Sequence, residues 1–215
     1  MAHEIQENEL SIRLMEKGDI EEARTLHNDP SVLRQLTDPR PVNETQQAAW
    51  FEALSKSQTS QRYVIRNSVS DYMIGVFRVD NIDLINKSVM VGLDIAPRFR
   101  GRGISYQVYE HFIDHFFKEI GMNRIYLYVL ETNEIAHHVY EKLGFEEEGR
   151  QRQAVFRDGR YVDYVMMSLL KSDVDSRIPA PKTAAELYES KPRRRLELFK
   201  PQGPPNKFVK EGEFP

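Results

Sequence analysis

The order of periodic segments predicts an α/β (α+β) chain: a mixed, mostly antiparallel central sheet of about seven strands, with helices on both faces. Three observations carry that reading. Up to Leu170 the segments run β-α-α-β-β-β-α-β-α-β-β. Two strand pairs are joined by polar turns, Asn67 to Asp71 and Arg157-Asp158-Gly159-Arg160, and read as hairpins. Between a strand ending at Ile95 and a helix starting at Ile104 lies a glycine-rich basic turn.

Each element has a local reason. Leu10 to Met15 alternates apolar and polar side chains and opens the sheet. Asp19 is a candidate N-cap for an amphipathic helix over Ile20 to His27, and Ser31 to Leu36 offers another helical turn. Asn43 and Gln46 have capping-box spacing ahead of Ala48, Ala49, Trp50, Phe51 and Leu54, so a helix runs to about Lys56. Arg62 to Arg66 and Tyr72 to Val79 form the first hairpin, and Asp80 to Asn86 reads as a loop. Val91, Leu93 and Ile95 then alternate with Gly92 and Asp94 until Pro97, which has no N–H for a ladder, ends the strand. Ile104, Val108, Phe112, Phe116 and Ile120 mark the buried stripe of the next helix. Arg124 to Leu130 is a strand. A helix follows from about Asn133, with Ala136, Val139, Tyr140 and Leu143 on one face and Gly144 as its stop. Phe145 to Phe156 and Tyr161 to Leu170 make the closing hairpin.

Residues 1–170 therefore read as one domain, and 171–215 as an extension holding most of the eleven prolines and the run Lys191-Pro192-Arg193-Arg194-Arg195. The extension is either a solvated tail or an arm that docks on a partner or second subunit through Leu196, Leu198, Phe199 and Phe208. A net charge of −3 argues against a nucleic-acid protein. The absence of cysteine removes disulfides, thiolate metal sites and a cysteine nucleophile. No apolar run approaches the ~20 residues of a membrane span, and MAHEIQENEL is not a secretory leader, so cytoplasm is the expected location. His111 and His115 lie one helical turn apart, but no third ligand accompanies them, and no metal is expected.

The chemistry concentrates in two stretches. In the first, Arg98-x-x-Gly101-x-Gly103 lies between strand and helix, where backbone N–H groups, the helix dipole and Arg98, Arg100 and Arg102 suit a phosphate. Glycine there admits φ > 0 and keeps side chains out of the way of the anion. The spacing fits neither the dinucleotide fingerprint nor a P-loop. The second is Asn133…Ala136…Tyr140-Glu141-Lys142-Leu143-Gly144-Phe145, on the helix after the next strand.

Together these two stretches resemble the GCN5-related N-acetyltransferase (GNAT) family over roughly Leu10 to Leu170. The subgroup is the one that includes ribosomal-protein, spermidine and amino-sugar acetyltransferases. The resemblance implies acetyl-CoA as co-substrate. Its pyrophosphate would lie on Arg98, Phe99, Arg100, Gly101, Arg102, Gly103, Ile104 and Ser105. Its pantetheine arm would lie beside Leu93, Ile95, Asn133 and Tyr140, between two strands that splay apart near Gly92 or Pro97. The site must deprotonate an ammonium, hold the amine against the thioester and protonate the departing thiolate. Tyr140 is the candidate acid, or else a tyrosine packed on its helix face. Asn133 is a pantetheine partner, a helix N-cap, or both. Asp94 is the candidate base, or a strand residue with only structural hydrogen bonds. One of His137 and His138 could face the cleft, and each reads better as a surface histidine. Trp50 and Phe51 could line an acceptor pocket with Asp94, or pack in the core. The acceptor is expected to be a small-molecule primary amine, first of all a nucleotide-linked amino sugar, with a polyamine or a protein N-terminus as alternatives. A non-catalytic acyl-CoA-binding protein, a different acyl group and a homodimer also remain open.

Overall fold

Capping chemistry sets the helix boundaries. The computed structural model describes residues 10–177. Helix α1 spans Ile20–His27, α2 Pro30–Leu33 and α3 Glu44–Ser55. The Asn43 side chain accepts from Gln46 N while Gln46 accepts from Asn43 N, so α3 begins in a complete capping box. Asp29, rather than Ser31, starts the short α2, accepting from the Ser31 N–H at 2.8 Å. Asp19 precedes α1 but does not cap it. Its carboxylate is buried and accepts two 2.7 Å hydrogen bonds from Arg13, one from Arg66 at 2.8 Å and one from the Glu16 N–H. Burial alone would raise the Asp19 carboxyl, but these hydrogen bonds hold it below its ordinary value.

The strands are β1 (Leu10–Leu14), β2 (Gln61–Asn67), β3 (Met73–Asp83), β4 (Ser88–Ile95), β5 (Arg124–Leu130), β6 (Glu146–Arg157) and β7 (Arg160–Leu170). They form one seven-stranded sheet in the order β1-β2-β3-β4-β5-β7-β6, antiparallel except at β4–β5. Strand β3 continues through Asp80 to Asp83, where a loop was expected, because Asp80 pairs with Met90 and Asp83 with Ser88.

Helices α4 (Ile104–Asp114) and α5 (Glu134–Leu143) pack on one face with Phe77, Val79, Val91, Ile125 and Leu127. Phe77 stacks on Phe112 at 3.8 Å between centroids, and Tyr63 meets Phe112 edge-on at 4.9 Å. Helices α1, α2 and α3 cover the other face over Val64, Met73 and Val76. Alternation along β2 and β3 thus feeds two cores, Phe77 to one and Val76 to the other. After Asp114 the chain winds as a π-helix over His115–Ile120. The wider turn slips the α-helical phase: Phe117 is buried, and Ile120, expected in the stripe, is 42% exposed.

Beyond β7, Lys171–Arg177 form α6, whose Val174 packs against the main core. The rest of the extension, with Leu196, Leu198, Phe199 and Phe208, lies outside the described residues. Among the described residues no helix is long and apolar enough to cross a membrane.

Candidate active site

The site begins where the sheet parts. Parallel strands β4 and β5 pair only at Ser88↔Arg124, Val89↔Ile125 and Met90↔Tyr126. Beyond Met90 they separate, although β4 stays on β3 to Ile95 and β5 stays on β7 to Leu130. Peptide groups along both inner edges therefore lack a ladder partner across the gap. The parting lies ahead of both Gly92 and Pro97, the two positions where it was expected.

At the end of β4 the chain turns through a 3-10 segment, Pro97–Phe99, into Gly101 (φ 73°) and Gly103 (φ 74°). This left-handed conformation costs an L-residue about 1–2 kcal/mol. A Cβ at either glycine would meet no atom within 4 Å, so backbone conformation, not crowding within the protein, calls for glycine. Gly103 is the N-cap of α4 and has no side chain to cap with. The first N–H groups of α4 have no intrahelical acceptor, and the dipole favours an anion there. Arg98 lies over the rings of Tyr72 (4.9 Å) and Phe99 (4.7 Å), and Arg102 over Phe99 (5.9 Å). Arg100 is directed elsewhere. It donates to Ile95 O at 3.0 Å and Ser31 Oγ at 2.9 Å, tying the loop to α2. Ile104 and Ile95 are buried in the main core, Leu93 packs against it, and Ser105 is half-buried.

Across the gap, Asn133 caps α5, its Oδ1 accepting from Ala136 N at 3.2 Å. Tyr140, one helical turn beyond Ala136, is buried among Tyr109 and Phe145. Its hydroxyl accepts from the Tyr109 hydroxyl at 3.3 Å. Burial pushes the Tyr140 phenol above its ordinary value, with the Tyr109 hydrogen bond and Arg78 opposing and the Asp94 charge reinforcing the shift. Tyr109 is pushed up further, by burial first and then by Tyr140. Both phenols therefore keep their protons near neutral pH. His137 is half-buried and His138 exposed. His115 contacts Glu119 at 2.9 Å, and among the described residues no cluster of three His, Cys, Asp or Glu could hold a metal ion.

On the opposite face a cavity of about 300 Å³ has Arg78 and Asp94 in its floor and Leu26, Leu36 and Trp50 in its walls. Of the two aromatics expected there, Trp50 lines the cavity; Phe51 does not, and packs with Trp50 against the smaller core. Asp94 meets Arg78 in an ion pair, Oδ2–Nε 3.3 Å and Oδ1–Nη2 3.4 Å. Gly92 makes room for it, since a Cβ there would stand 2.8 Å from Arg78 Nη2 and 3.0 Å from Cζ. The cavity wall over 36–42 is well held. Asn28 bonds Val42 N and O, Arg157 donates to Leu36 O and to Arg34 O, and Tyr164 hydrogen-bonds Thr37.

Arg78, Tyr109 and Tyr164 were not singled out from the sequence. Tyr109 shares the α4 stripe with Phe112 and could have been read from its period. Arg78 carried a weaker signal, a cation between Phe77 and Val79 in the otherwise apolar stretch Met73 to Val79. Tyr164 reaches the site only through the β5–β7 pairing.

An opening in a sheet, with a helix start that no side chain caps at its mouth and ionisable groups at its middle, suits an extended ligand with an anionic end. The class it fits is the acyltransferases. The chain belongs to the GNAT acetyltransferases: the family model described as "Acetyltransferase (GNAT) domain" matches residues 9–146. A spermidine N(1)-acetyltransferase of Vibrio cholerae is 26% identical over 165 residues, 77% of this chain and 95% of that protein. A putative ribosomal N-acetyltransferase of Bacillus subtilis is 33% identical over 101 residues, 47% of this chain and 55% of that protein. The crystal structure of the Vibrio cholerae spermidine enzyme with CoA and spermine superimposes with a TM-score of 0.72, covering 77% of this chain and 97% of that one.

Proposed function

We propose that this acyltransferase moves the acetyl group of acetyl-CoA to the primary amine of a small molecule, with Tyr140 as general acid and Asp94 as base. One observation carries the assignment of roles. Strands β4 and β5 part beyond Met90, with Tyr140 buried on the α5 side of the sheet and Asp94, on β4, lining the cavity on the other face. A donor lying between the parted strands would meet both groups. The neutral amine nitrogen attacks the thioester carbonyl, a proton passes from the nitrogen of the tetrahedral adduct to the Asp94 carboxylate, the C–S bond breaks, and the leaving thiolate takes the Tyr140 proton. The Gly101–Gly103 turn and the start of α4 would hold the pyrophosphate, and the free edges of β4 and β5 the amide-bearing arm.

Among the amines the sequence raised, a polyamine is supported by the Vibrio cholerae relative and a protein N-terminus by the Bacillus subtilis one; a nucleotide-linked amino sugar has no such support. Thiol release from acetyl-CoA, followed across amino sugars, spermidine and peptides with free N-termini, tests the reaction. Turnover with any of them supports the transferase reading. Binding of acetyl-CoA without turnover on a broad amine panel would overturn it in favour of an acyl-CoA-binding protein.

A further inference from the structure

The cavity floor carries an arrangement that catalysis by Tyr140 and Asp94 does not use. Arg62 of β2 and Arg78 of β3 are directly opposed cross-strand partners, and both line the cavity. Like charges opposed across a ladder are destabilising. Neither cation is relieved completely. Arg62 is ion-paired with Asp80 at 2.9 Å, but among the described residues its hydrogen bonds all leave from Nη1, to Gln61 O, Val79 O and Asp80 Oδ1, and its guanidinium stands 5.8 Å over Trp50. Arg78 turns away over Gly92 toward Asp94, but its Nε is buried without a hydrogen-bond partner and its contacts there are 3.3 and 3.4 Å. The acids lining the cavity are Asp94, taken by Arg78, and Asp38, taken by Arg40 at 2.6 Å. Among the described residues the lining therefore offers a second cation no unpaired carboxylate, and it offers an anion the Nε and Nη2 of Arg62, which make no hydrogen bond there, beside the loosely held Arg78.

We infer that the acceptor is an amine that also bears an anionic group, a carboxylate or a phosphate, seated between Arg62 and Arg78 with its amine toward Asp94. The inference rests on the transferase reading and narrows its acceptor. It also explains why an arginine stands beside the base. The anion offsets the Arg62–Arg78 repulsion, while the Arg78 charge disfavours the ammonium form of the amine, which must be neutral to attack. A polyamine would bring two or more cations to a floor whose two arginines have already taken the nearby carboxylates, Asp80 and Asp94.

The test is kcat/KM for matched acceptors, by thiol release. The carboxylate arm compares free amino acids with their methyl esters, the phosphate arm glucosamine 6-phosphate with glucosamine, and spermidine stands alongside. The anionic member of at least one pair is expected to exceed its neutral partner by about tenfold or more, the scale of a charge-assisted hydrogen bond. Which arm responds identifies the anion. In Arg78→Gln that ratio should fall to near one, and Arg78→Lys should restore part of it. Spermidine turned over faster than every anionic amine, or ratios near one in both pairs with the unmodified protein, would overturn the inference and leave the transferase standing. Bound acetyl-CoA with no thiol release on any acceptor would overturn both.

Discussion

Two helix starts flank the parted strands, and they are finished in opposite ways. Helix α5 completes its own N-terminus, with the Asn133 side chain accepting from Ala136 N. Helix α4 begins at Gly103, which has no side chain to offer and a backbone that strains any other residue. The first arrangement costs the protein nothing when ligand is absent. The second leaves donors for something from outside. A helix start that closes on itself and one left open can thus be told apart by their caps alone.

Gly103→Val attacks the open start. A β-branched residue at φ 74° is strained by about 1–3 kcal/mol. Acetyl-CoA binding should vanish from a calorimetric titration, while far-ultraviolet circular dichroism keeps the native spectrum. Undiminished affinity would remove the anion-site assignment. Tyr140→Phe tests the chemistry that the capped helix carries. It should lower kcat by about 10²-fold or more with acetyl-CoA affinity unchanged. As the proposed acid Tyr140 would have to be protonated to act, and burial raises its value, so the alkaline fall in kcat should lie above about pH 10. A fall near pH 8 that Tyr140→Phe abolishes would contradict the raised value.

Asn133→Ala breaks the closed start and should cost about 1 kcal/mol in denaturant unfolding. Asn133→Ser keeps a cap, so any loss of acetyl-CoA affinity in that variant would show that the amide also touches the pantetheine arm. The smallest effect belongs to a remote pair, Arg124 and Glu148, which joins β5 to β6. Arg124 holds the Glu148 carboxyl down at about 2, from an ordinary 4.5. A depressed carboxyl contributes stability above 4.5 and loses it as pH falls through about 2. Arg124→Gln should therefore cost under ~1 kcal/mol at neutral pH, and the difference should close in acid. A deficit that persists below pH 2 would mean packing rather than charge.

Much of this was legible in the chain because it is local. Asn43 with Gln46 is readable as a capping box, Gly144 as a helix stop, and the alternation through Val91, Leu93 and Ile95 as a strand that turns Asp94 to the other face. What escaped is set by pairing. Nothing in the sequence says that Arg62, Arg78 and Gly92 lie in one row across three strands, yet that row shapes the cavity floor. Asp19 looked like an N-cap because it precedes a helix, whereas two distant arginines claim its carboxylate. Ile120 looked buried because a period of 3.6 was carried through a segment that winds more widely.

The parting of β4 from β5 also leaves a kinetic signature. Among the described residues, past Met90 each strand is bonded along one edge and has no ladder partner along the other. Backbone amides aimed at β3 or β7 should exchange with solvent deuterium as slowly as the core, and their alternate neighbours, aimed into the gap, as fast as a loop. A bound donor that bridges the gap would erase that odd–even pattern from the time course, residue by residue, on both strands at once.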